Sequence, residues 1–427
     1  MRILQAPSNI ANQAWLNAEA LRARGHEVHV WQFGRTRFAY PADRVFEDVS
    51  KPRTIVNLLM EAMALEPDVV HFHYARSLVP AVGGLPWLWD LPVWKALGVK
   101  VVMSFHGSEV RIPRVAKALD PWSAFHFADL PIDEAAIEDA LAVIRTYADA
   151  TTVSNVANLP YAPGATYLPL SVDLTAIPPH PLAGGDRVRP VVAHAPSARG
   201  LKGTEFVLDA FDRLRAEGVA FDIDLIEGVT NSEVLERYAR ADIVVEKLVN
   251  EGFGVAALEA LAVGRPVVSR VADVVRDRHP DLPIVDATPE TFEKVLRGLI
   301  VDRGERQRLA AAGRPYVEAN HDISLTGVRL EEVYAGPGVP APVVFPGWTV
   351  PQRDRALGQV RAQLDELRLA TSLRESRSEQ VMRALEREVG TLSARNRELE
   401  RQLVEARHGL AYRVRRRLRQ IGSARSR

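Results

Sequence analysis

Short apolar runs alternate with amphipathic segments along the first part of the chain, and this alternation restricts the fold more than any other feature. The apolar runs include MRILQAP, EVHVWQF, PDVVHFHYA and VKVVMSFHG, and the segment QAWLNAEALRARG between the first two predicts a helix. Strands separated by helices favour a parallel sheet that is covered by helices on both faces. The sequence therefore predicts a doubly wound, Rossmann-like α/β domain over residues 1–175.

The alternation restarts after a stretch rich in proline and glycine, LTAIPPHPLAGGDRVRP. Strands are predicted at RPVVAHAPS, FDIDLIEG, DIVVEKL and RPVVSRV, with helices between them and two more helices up to about residue 336. Residues 185–336 thus form a second predicted doubly wound domain. Because ligands of such sheets bind outside the carboxyl ends of the strands, we expect two domains that face a cleft.

The chain changes character after residue 336. The segment PGVPAPVVFPGWTVPQ predicts a linker over residues 337–353, and the proline-free residues 354–410 predict an α-helical coiled coil. Heptad positions a and d from residue 382 onward are occupied by Met382, Leu385, Val389, Leu392, Asn396, Leu399, Leu403, Ala406 and Leu410. We expect a homo-oligomer held by this segment, as a parallel dimer, and a single long solvated helix is the alternative.

Charge and composition indicate the compartment and the partners. Acidic and basic residues balance at 54 each, yet residues 413–427 hold seven arginines and no acid. Residues 411–427 therefore predict a basic amphipathic tail, for which an anionic membrane surface is the favoured partner and a solvated basic end is the alternative. No specific nucleic-acid partner is expected. The absence of cysteine excludes disulfides, and the N-terminus lacks a signal-peptide pattern, so we expect a cytoplasmic protein, peripheral on the inner face of the membrane if the tail binds there.

The stretch EGFGVAALEALAVG follows a predicted strand and opens a predicted helix. Its glycines, Gly252 and Gly254, let the backbone turn sharply and approach a ligand, and the following helix N-terminus suits a phosphate. The carboxylates of Glu251 and Glu259 would accept hydrogen bonds from hydroxyl groups. A phosphate flanked by two polyols describes a nucleotide sugar. The turn residues expected to line this site are Gly252, Phe253, Gly254 and Val255.

Glu251, Glu259 and the seven residues between them resemble the E-x7-E motif of retaining GT-B glycosyltransferases, in particular glycosyltransferase family 4 (group 1). The continuation ALAVGRPVVS is similar to that family's sequence after the motif. The resemblance covers residues 1 to about 335. It implies the two-domain GT-B fold, with Glu251 facing the donor sugar and Glu259 facing the ribose of the nucleotide.

A basic loop, HAPSARGLKGTEF, precedes a predicted helix of the second domain. Lys202 and Arg199 can neutralise a diphosphate leaving group. The family usually has an arginine at the place of Ser197, so we expect Arg199 to do the same work from the loop. By resemblance, the nucleotide base lies at Gly228, after the strand FDIDLIE.

Polar residues also follow two predicted strands of the first domain. By resemblance His106 faces the donor sugar, and Asn9 and Asn12 stand where relatives carry a glycine-rich loop, in reach of phosphate or acceptor hydroxyls. His71 and His73 are interpreted as core or cleft histidines, with no metal site expected. Glu109 and Arg111 either pair with each other or reach the acceptor, and the sequence leaves both alternatives open.

The leading hypothesis is a retaining, metal-independent, hexosyltransferase-type glycosyltransferase with no cofactor. Its donor is a nucleotide-diphosphate sugar and its acceptor a glycan or a lipid-linked molecule, in cell-envelope or surface polysaccharide synthesis. Two alternatives remain open. One is a GT-B sugar-nucleotide epimerase, and the other is a catalytically weak sugar-nucleotide-binding scaffold that uses the coiled coil.

Overall fold

The computed structural model describes residues 1–35, 38–80, 88–128, 132–182 and 189–340, together with positions 390–391, 393–395 and 397–398. Two compact units are present: one comprises residues 1–80 and 87–345, and the other residues 81–86 and 346–427. The described positions of the second unit are helical. Otherwise the predicted coiled coil (354–410) and basic tail (411–427) lie outside the described residues, and the predicted linker (337–353) is described only to residue 340.

The first unit contains two parallel sheets, as the strand–helix alternation predicts. The first sheet has the order β3-β2-β1-β4-β5-β6-β7, and every pair of neighbours is parallel. Its strands are β1 (Arg2–Ala6), β2 (Glu27–Phe33), β3 (Arg44–Phe46), β4 (Val69–His73), β5 (Lys100–Phe105), β6 (Ala150–Val153) and β7 (Thr166–Tyr167). The chain order reverses between β1 and β4, which is where a doubly wound sheet opens a crevice for ligands.

The second sheet has the order β12-β11-β10-β8-β9 and is also parallel throughout. Its strands are β8 (Val191–His194), β9 (Asp222–Leu225), β10 (Ile243–Lys247), β11 (Val267–Ser269) and β12 (Ile284–Asp286). Here the order reverses between β8 and β10, so the carboxyl ends of these two strands form the second expected ligand crevice.

Helices cover both sheets. Those of the first sequence half are α1 (Gln13–Arg22), α2 (Pro52–Ala64), α3 (Leu91–Ala96), α4 (Pro113–Leu119) and α5 (Glu134–Tyr147). Those of the second half are α6 (Arg199–Lys202), α7 (Thr204–Ala216), α8 (Asn231–Arg240), α9 (Val255–Val263), α10 (Asp273–Arg278), α11 (Phe292–Val301), α12 (Arg303–His321) and α13 (Ile323–Ala335). The prediction of two helices after the strand RPVVSRV was wrong, because this region forms four helices and the edge strand β12.

The apolar cores lie on the faces of the two sheets. Helices α3 and α5 contribute Trp94 and Ile144 to one core of the first sheet, while Phe211 of α7 and Phe292 of α11 are buried on one face of the second. The last helix, α13, packs against the first sheet although it follows the second along the chain. Its Leu330, Val333 and Tyr334 share a core cluster with residues of α1 and β1. The chain therefore crosses back, and both sheets contribute to one compact unit.

Candidate active site

The loop between β10 and α9 lies at the switch point of the second sheet and touches the first half of the chain. Gly252 in this loop has φ +77°, and a Cβ atom built on it would lie 2.1 Å from Nδ2 of Asn155. That same Nδ2 donates a hydrogen bond of 3.1 Å to the carbonyl oxygen of Glu251. Glycine is required here both for the left-handed backbone and for the close approach of Asn155. The motif loop is thus built to meet the opposite domain.

Lys202 is the last residue of α6, and its side chain reaches the N-terminus of helix α9. Its amine donates a hydrogen bond to Oε1 of the fully buried Glu246, and Ser269 Oγ donates to the other carboxylate oxygen at 2.7 Å. A Cβ atom built on Gly254, the residue before α9, would lie 3.1 Å from Glu246 Oε1 and 3.8 Å from Lys202 Nζ. Burial is the largest single effect and favours the neutral acid, but the charges of Lys202 and Lys247 and the hydrogen bonds from Lys202 and Ser269 together outweigh it and lower the pKa of Glu246 to about 2. The amine and the helix dipole therefore present positive charge at one place, as an anion site requires.

The side chain of Glu251 is buried beside Arg111. Its Oε2 lies 3.9 Å from Arg111 Nε, and neither atom has a hydrogen-bond partner among the described residues, nor does the hydroxyl oxygen of Tyr161. Burial and the nearby charge of Glu251 raise the pKa of Tyr161 to about 12. Buried polar atoms without partners are costly, so this arrangement is ready to bind a hydroxylated ligand or ordered water.

Glu259 is buried in the second turn of α9. Asn231 Nδ2 donates a hydrogen bond of 2.9 Å to its Oε1. Burial raises the pKa of Glu259 to about 7, against the lowering effect of this hydrogen bond. The charge of Glu259 in turn helps to raise the pKa of Tyr40, a residue of the first half of the chain whose own burial is the larger cause. One oxygen of this carboxylate is held by Asn231, which fixes its orientation.

Arg199 is occupied by two carboxylates. Its Nε and Nη2 donate to the two oxygens of Glu227 at 2.9 and 2.8 Å, and its Nη1 donates to Glu205 at 3.3 Å. A bidentate pair of this kind satisfies most of the guanidinium donors. Gly228, the predicted place of the nucleotide base, directly follows Glu227 and has φ +72°. Arg199 is therefore paired with carboxylates. Lys202, in contrast, is the basic residue of this loop whose amine lies beside the N-terminus of α9.

His106 belongs to a buried chain of hydrogen bonds at the switch point of the first sheet. Its Nε2 lies 3.0 Å from Nδ1 of His73, and His73 Nε2 lies 2.6 Å from Oε1 of Gln5. Because the amide oxygen only accepts, His73 carries its proton on Nε2, and His106 donates through Nε2 and keeps a lone pair on Nδ1. Burial lowers the pKa of His106 to about 4, so the ring is neutral. The chain continues through Gln5 Nε2, which donates to the hydroxyl of Tyr334 at 3.2 Å.

His71 is the second member of this network on β4. Its Nδ1 lies 2.8 Å from the hydroxyl oxygen of Tyr334, and its Nε2 lies 2.6 Å from Oγ of Ser104. Burial lowers the pKa of His71 to about 3. The interpretation of His71 and His73 as histidines with satisfied hydrogen bonds agrees with these contacts. In the part of the chain that the structure describes, no group of three or more His, Asp or Glu side chains is arranged to hold a metal ion.

Glu109 and Arg111, whose roles the sequence left open, form hydrogen bonds with different partners. Glu109 accepts hydrogen bonds from the backbone N–H groups of His106 and Gly107, which holds the loop after β5. Arg111 instead donates from Nη2 to Asn158 Oδ1 at 3.0 Å, in addition to facing Glu251. Arg111 is therefore a site residue that the motif search did not select, and its signal was only its position five residues after His106.

Asn9 is engaged by the protein at both ends of its amide. Its Oδ1 accepts from the backbone N–H of Ala14 at 3.1 Å, and its Nδ2 donates to the carbonyl of Pro41 at 3.0 Å and to Oδ1 of Asn12 at 3.2 Å. Asn9 thus ties the start of α1 to the loop after β2. Asn12 adopts a left-handed conformation with φ 62° at the start of the same helix.

Phe253 is buried beneath the motif loop. Its ring packs edge-on against those of His279 and His321, with centroid distances of 5.6 Å in both contacts. Val255, the first residue of α9, is partly exposed. Phe253 therefore anchors the loop in the core, while Gly254 and Val255 form the surface of the helix N-terminus.

A cavity of about 400 Å³ borders His279, the residue that packs against Phe253. It is lined by Thr166, Tyr167, Leu168, Pro169, Arg278, His279, Asn320, Arg329, Glu332 and Val333. None of the predicted site residues is among them. We place the candidate active site at the two switch points instead, because the charged and unpaired polar groups converge there.

Two segments of the chain match models of known protein families. Residues 10–132 match the model described as Glycosyltransferase Family 4, and residues 209–315 match the model described as Glycosyl transferases group 1. The first segment covers much of the first sheet and the second covers the E-x7-E helix. The resemblance predicted from the sequence is confirmed.

Curated relatives share a limited part of the chain. A D-inositol 3-phosphate glycosyltransferase of Salinispora arenicola is 30% identical over 148 residues, which is 34% of this chain and 32% of the relative. A protein of the same description from Streptosporangium roseum is 29% identical over 150 residues, or 34% of each chain. The chain thus spans about a third of the length of the curated relatives that it matches.

Solved structures share the fold of the first unit. Sucrose-phosphate synthase of Thermosynechococcus elongatus superposes with a TM-score of 0.57 at 16% identity, covering 78% of this chain and 98% of the synthase. HepE of Anabaena, solved in complex with UDP and glucose, gives a TM-score of 0.54 at 12% identity, covering 79% of this chain and 99% of HepE. These similarities confirm the prediction of two parallel-sheet α/β domains of the GT-B type. Within the described residues, no helix has the length and apolar character needed to cross a membrane.

Proposed function

We propose that this chain, which matches both the family 4 and the group 1 glycosyltransferase models, transfers a sugar from a nucleotide-diphosphate sugar to an acceptor hydroxyl with retention of configuration. One observation carries the proposal. The amine of Lys202 lies at the N-terminus of α9, and the buried carboxylate oxygen of Glu251, which has no hydrogen-bond partner among the described residues, belongs to the loop that leads into the same helix. This arrangement suits a diphosphate joined to a hydroxylated ring.

In the proposed reaction the bond between the anomeric carbon and the donor phosphate breaks, and the bond to the acceptor oxygen forms on the same face of the sugar. The acceptor proton passes to an oxygen of the departing diphosphate. Lys202 and the helix N-terminus stabilise the negative charge that develops on the leaving group, in place of a metal ion. Glu251 and the neutral His106 orient the sugar, and Glu259 accepts hydrogen bonds from the ribose. Closure of the two domains excludes water and limits hydrolysis of the donor.

The donor is tested first by thermal-shift measurements with UDP-, GDP- and ADP-sugars. UDP-sugars lead the panel because structures of HepE contain UDP-glucose, or UDP and glucose. A ligand at a hundred times its dissociation constant stabilises the folded state by about 2.7 kcal/mol, which is readily measured. If none of these donors stabilises the protein, the proposed donor site is wrong.

Turnover separates a transferase from the two alternatives. Purified protein should slowly hydrolyse its donor and release a sugar of the same anomeric configuration, observable by NMR before mutarotation, and excess EDTA should not change the rate. A scaffold would bind the donor without hydrolysis, and an epimerase would return a nucleotide sugar with altered ring stereochemistry. A metal-dependent or inverting reaction would contradict the mechanism. Glu251→Ala should abolish turnover.

The proposed acceptor is a glycan or a lipid-linked molecule of cell-envelope or surface polysaccharide synthesis. The basic tail, residues 411–427, would bring the enzyme to an anionic leaflet, where each basic residue contributes about 1 kcal/mol. Flotation with anionic vesicles should recover the full chain, weaken with salt, and fail when residues 411–427 are removed. Equal recovery with neutral vesicles would refute the membrane part of the proposal. D-inositol 3-phosphate belongs in the acceptor panel because the curated relatives bear its name.

A further inference from the structure

Lys247 is the last residue of β10 and lies at the switch point of the second sheet. Its backbone carbonyl accepts a hydrogen bond from the backbone N–H of Arg270 at 2.9 Å. Within the described ranges, however, its side-chain amine has neither a hydrogen-bond acceptor nor a carboxylate at ion-pairing distance. Lys247 is half-buried at the end of its strand, so a cation held there without a paired carboxylate favours an anionic ligand that reaches it from solvent.

The other cations of this region are already paired. Lys202 is bound to Glu246, Arg199 to Glu227 and Glu205, and Arg270 lies within 4 Å of Asp120 and Asp286. Lys247 differs because its interactions with neighbouring charges act only over longer distances. It is therefore the cation near α9 whose charge remains available to an incoming anion.

Four charged groups lie close enough to the Lys247 amine to influence its charge. Glu246 precedes it on β10, Lys202 ends α6, Glu251 lies in the loop before α9, and Arg111 comes from the loop after β5. The four groups are two cations and two carboxylates, so with Lys247 itself three cations face two carboxylates. Glu251 Oε2 and Arg111 Nε are themselves buried and lack hydrogen-bond partners. A site with surplus positive charge and unpaired polar atoms suits an anion that also carries hydroxyl groups.

We propose that Lys247 is a second cation for the donor diphosphate and acts beside Lys202 at the N-terminus of α9. This inference rests on the proposed function and adds to it a residue outside the motifs. The ion pair with Glu246 partly neutralises Lys202, so binding of the doubly charged diphosphate requires a further positive group. Lys247 would donate hydrogen bonds to the phosphate oxygens in the bound state and to the leaving diphosphate during transfer.

The acid–base behaviour of Lys247 provides a readout that a structural role would not produce. Burial lowers the pKa of its amine to about 8, with Lys202 and Arg111 acting in the same direction and Glu246 and Glu251 opposing them. In the free protein the amine is therefore only partly charged near pH 8. Binding of a diphosphate favours the charged form, so binding takes up a proton, and affinity falls as the pH rises above 8.

The test uses the full-length chain and calorimetric titration with UDP, GDP and ADP. Lys247→Met removes the charge and keeps the length of the side chain, Lys247→Arg retains a permanent charge, and Lys294→Met removes an exposed lysine of α11 as the matched control. For the diphosphate that binds, Lys247→Met should weaken affinity about tenfold or more, as loss of a charged hydrogen bond does. Lys247→Arg should bind with affinity close to that of the wild type, and Lys294→Met should bind as the wild type does.

Proton uptake is measured by repeating the titration near pH 8 in buffers of different ionisation enthalpy. Uptake should occur in the wild type and Lys294→Met, and should disappear in Lys247→Met and Lys247→Arg. Equal affinity of Lys247→Met and wild type, or uptake that persists in Lys247→Arg, would overturn the role of Lys247 while leaving the proposed function intact. If the wild type binds none of the three diphosphates, both proposals fail.

The stability of the free variants checks for a structural role. Removal of an unpaired, half-buried charge should leave the melting temperature of Lys247→Met unchanged or raise it. If Lys247→Met does not fold, an unrecognised structural partner is implied and the inference is overturned.

Discussion

Replacement of Lys202 by Met should destabilise the protein in a pH-dependent way, because Glu246 would keep its burial and lose its hydrogen-bonded cation. Glu246 is fully buried, and the lowering of its pKa from 4.5 to about 2 reflects the excess of attraction over burial. Each pKa unit corresponds to about 1.4 kcal/mol, so the carboxylate contributes about 3 kcal/mol to stability. Breaking a buried pair by removing one partner costs a similar amount, about 3 to 5 kcal/mol.

The sign of the pH dependence follows from the two pKa values. In the wild type the folded-state pKa of Glu246 lies below that of the unfolded chain, so its contribution is fully present above about pH 4.5 and is lost as the pH falls towards 2. In Lys202→Met, burial is opposed only by the charge of Lys247 and the hydrogen bond from Ser269, so the folded-state pKa of Glu246 should rise. The variant then loses stability as the pH rises. The difference in the free energy of unfolding between the wild type and Lys202→Met should be largest near pH 7 and should decrease towards pH 4.

Urea unfolding at pH 7, 5.5 and 4.5 measures this difference, and Glu246→Gln provides the control. In the Glu246→Gln background the carboxylate is absent, so Lys202→Met should cost much less and its effect should not vary with pH. Equal stability of Lys202→Met and wild type at pH 7, or a difference that stays constant with pH, would refute the argument. The same variant should bind nucleoside diphosphates weakly, and undiminished binding would contradict the phosphate role of Lys202.

Three further changes probe other parts of the molecule. Gly252→Ala should destabilise the protein by about 1 kcal/mol or more, because φ is +77° and the new Cβ would clash with Asn155. Thermal unfolding measures this destabilisation, and an unchanged melting temperature would contradict the close packing of Gly252 against Asn155. Because burial raises the pKa of Glu259 to about 7, donor affinity should increase between about pH 6 and pH 8 as the carboxylate ionises, and Glu259→Gln should abolish that increase. Leu392→Lys with Leu399→Lys should give monomers that still hydrolyse the donor, whereas a parent chain that is already monomeric at micromolar concentration would refute the coiled-coil dimer.

The elements that the sequence predicted well are those whose signal is local. The inner strands carry short apolar runs, such as VVM in β5 (Lys100–Phe105) and IVV in β10 (Ile243–Lys247), and such runs are typical of buried parallel strands. The edge strand β3 (Arg44–Phe46) has only three residues, none of them buried, and was missed for that reason. Within the described residues β12 (Ile284–Asp286) pairs with β11 alone, and its three residues are too few to show a strand pattern in the sequence.

Contacts distant in sequence account for most of what the sequence did not predict about the site. The orientation of His106 depends on His73 and Gln5, and the hydrogen-bond chain runs on through Tyr334, which is 329 residues from Gln5 along the chain. Tyr334 reaches that position only because α13 returns to the first sheet. No local sequence pattern predicts that α13 packs against the first sheet. The periodicity of α13 identifies an apolar face but does not identify what this face packs against.

The sequence also did not predict which cations of the second domain are paired with carboxylates. Sequence motifs rank Arg199 with Lys202 because both stand in one basic loop, and they give no weight to Lys247 at the end of an apolar strand. In the folded chain, Glu227 and Glu205 pair with Arg199, and Glu246 pairs with Lys202. A carboxylate paired with a cation reduces the attraction of that cation for an anionic ligand. The strength of the remaining attraction therefore depends on which carboxylates the fold places beside the cation. Among these described cations, Lys247 has no carboxylate within ion-pairing distance and a lowered pKa, so it is the residue at which nucleotide binding and protonation should be coupled.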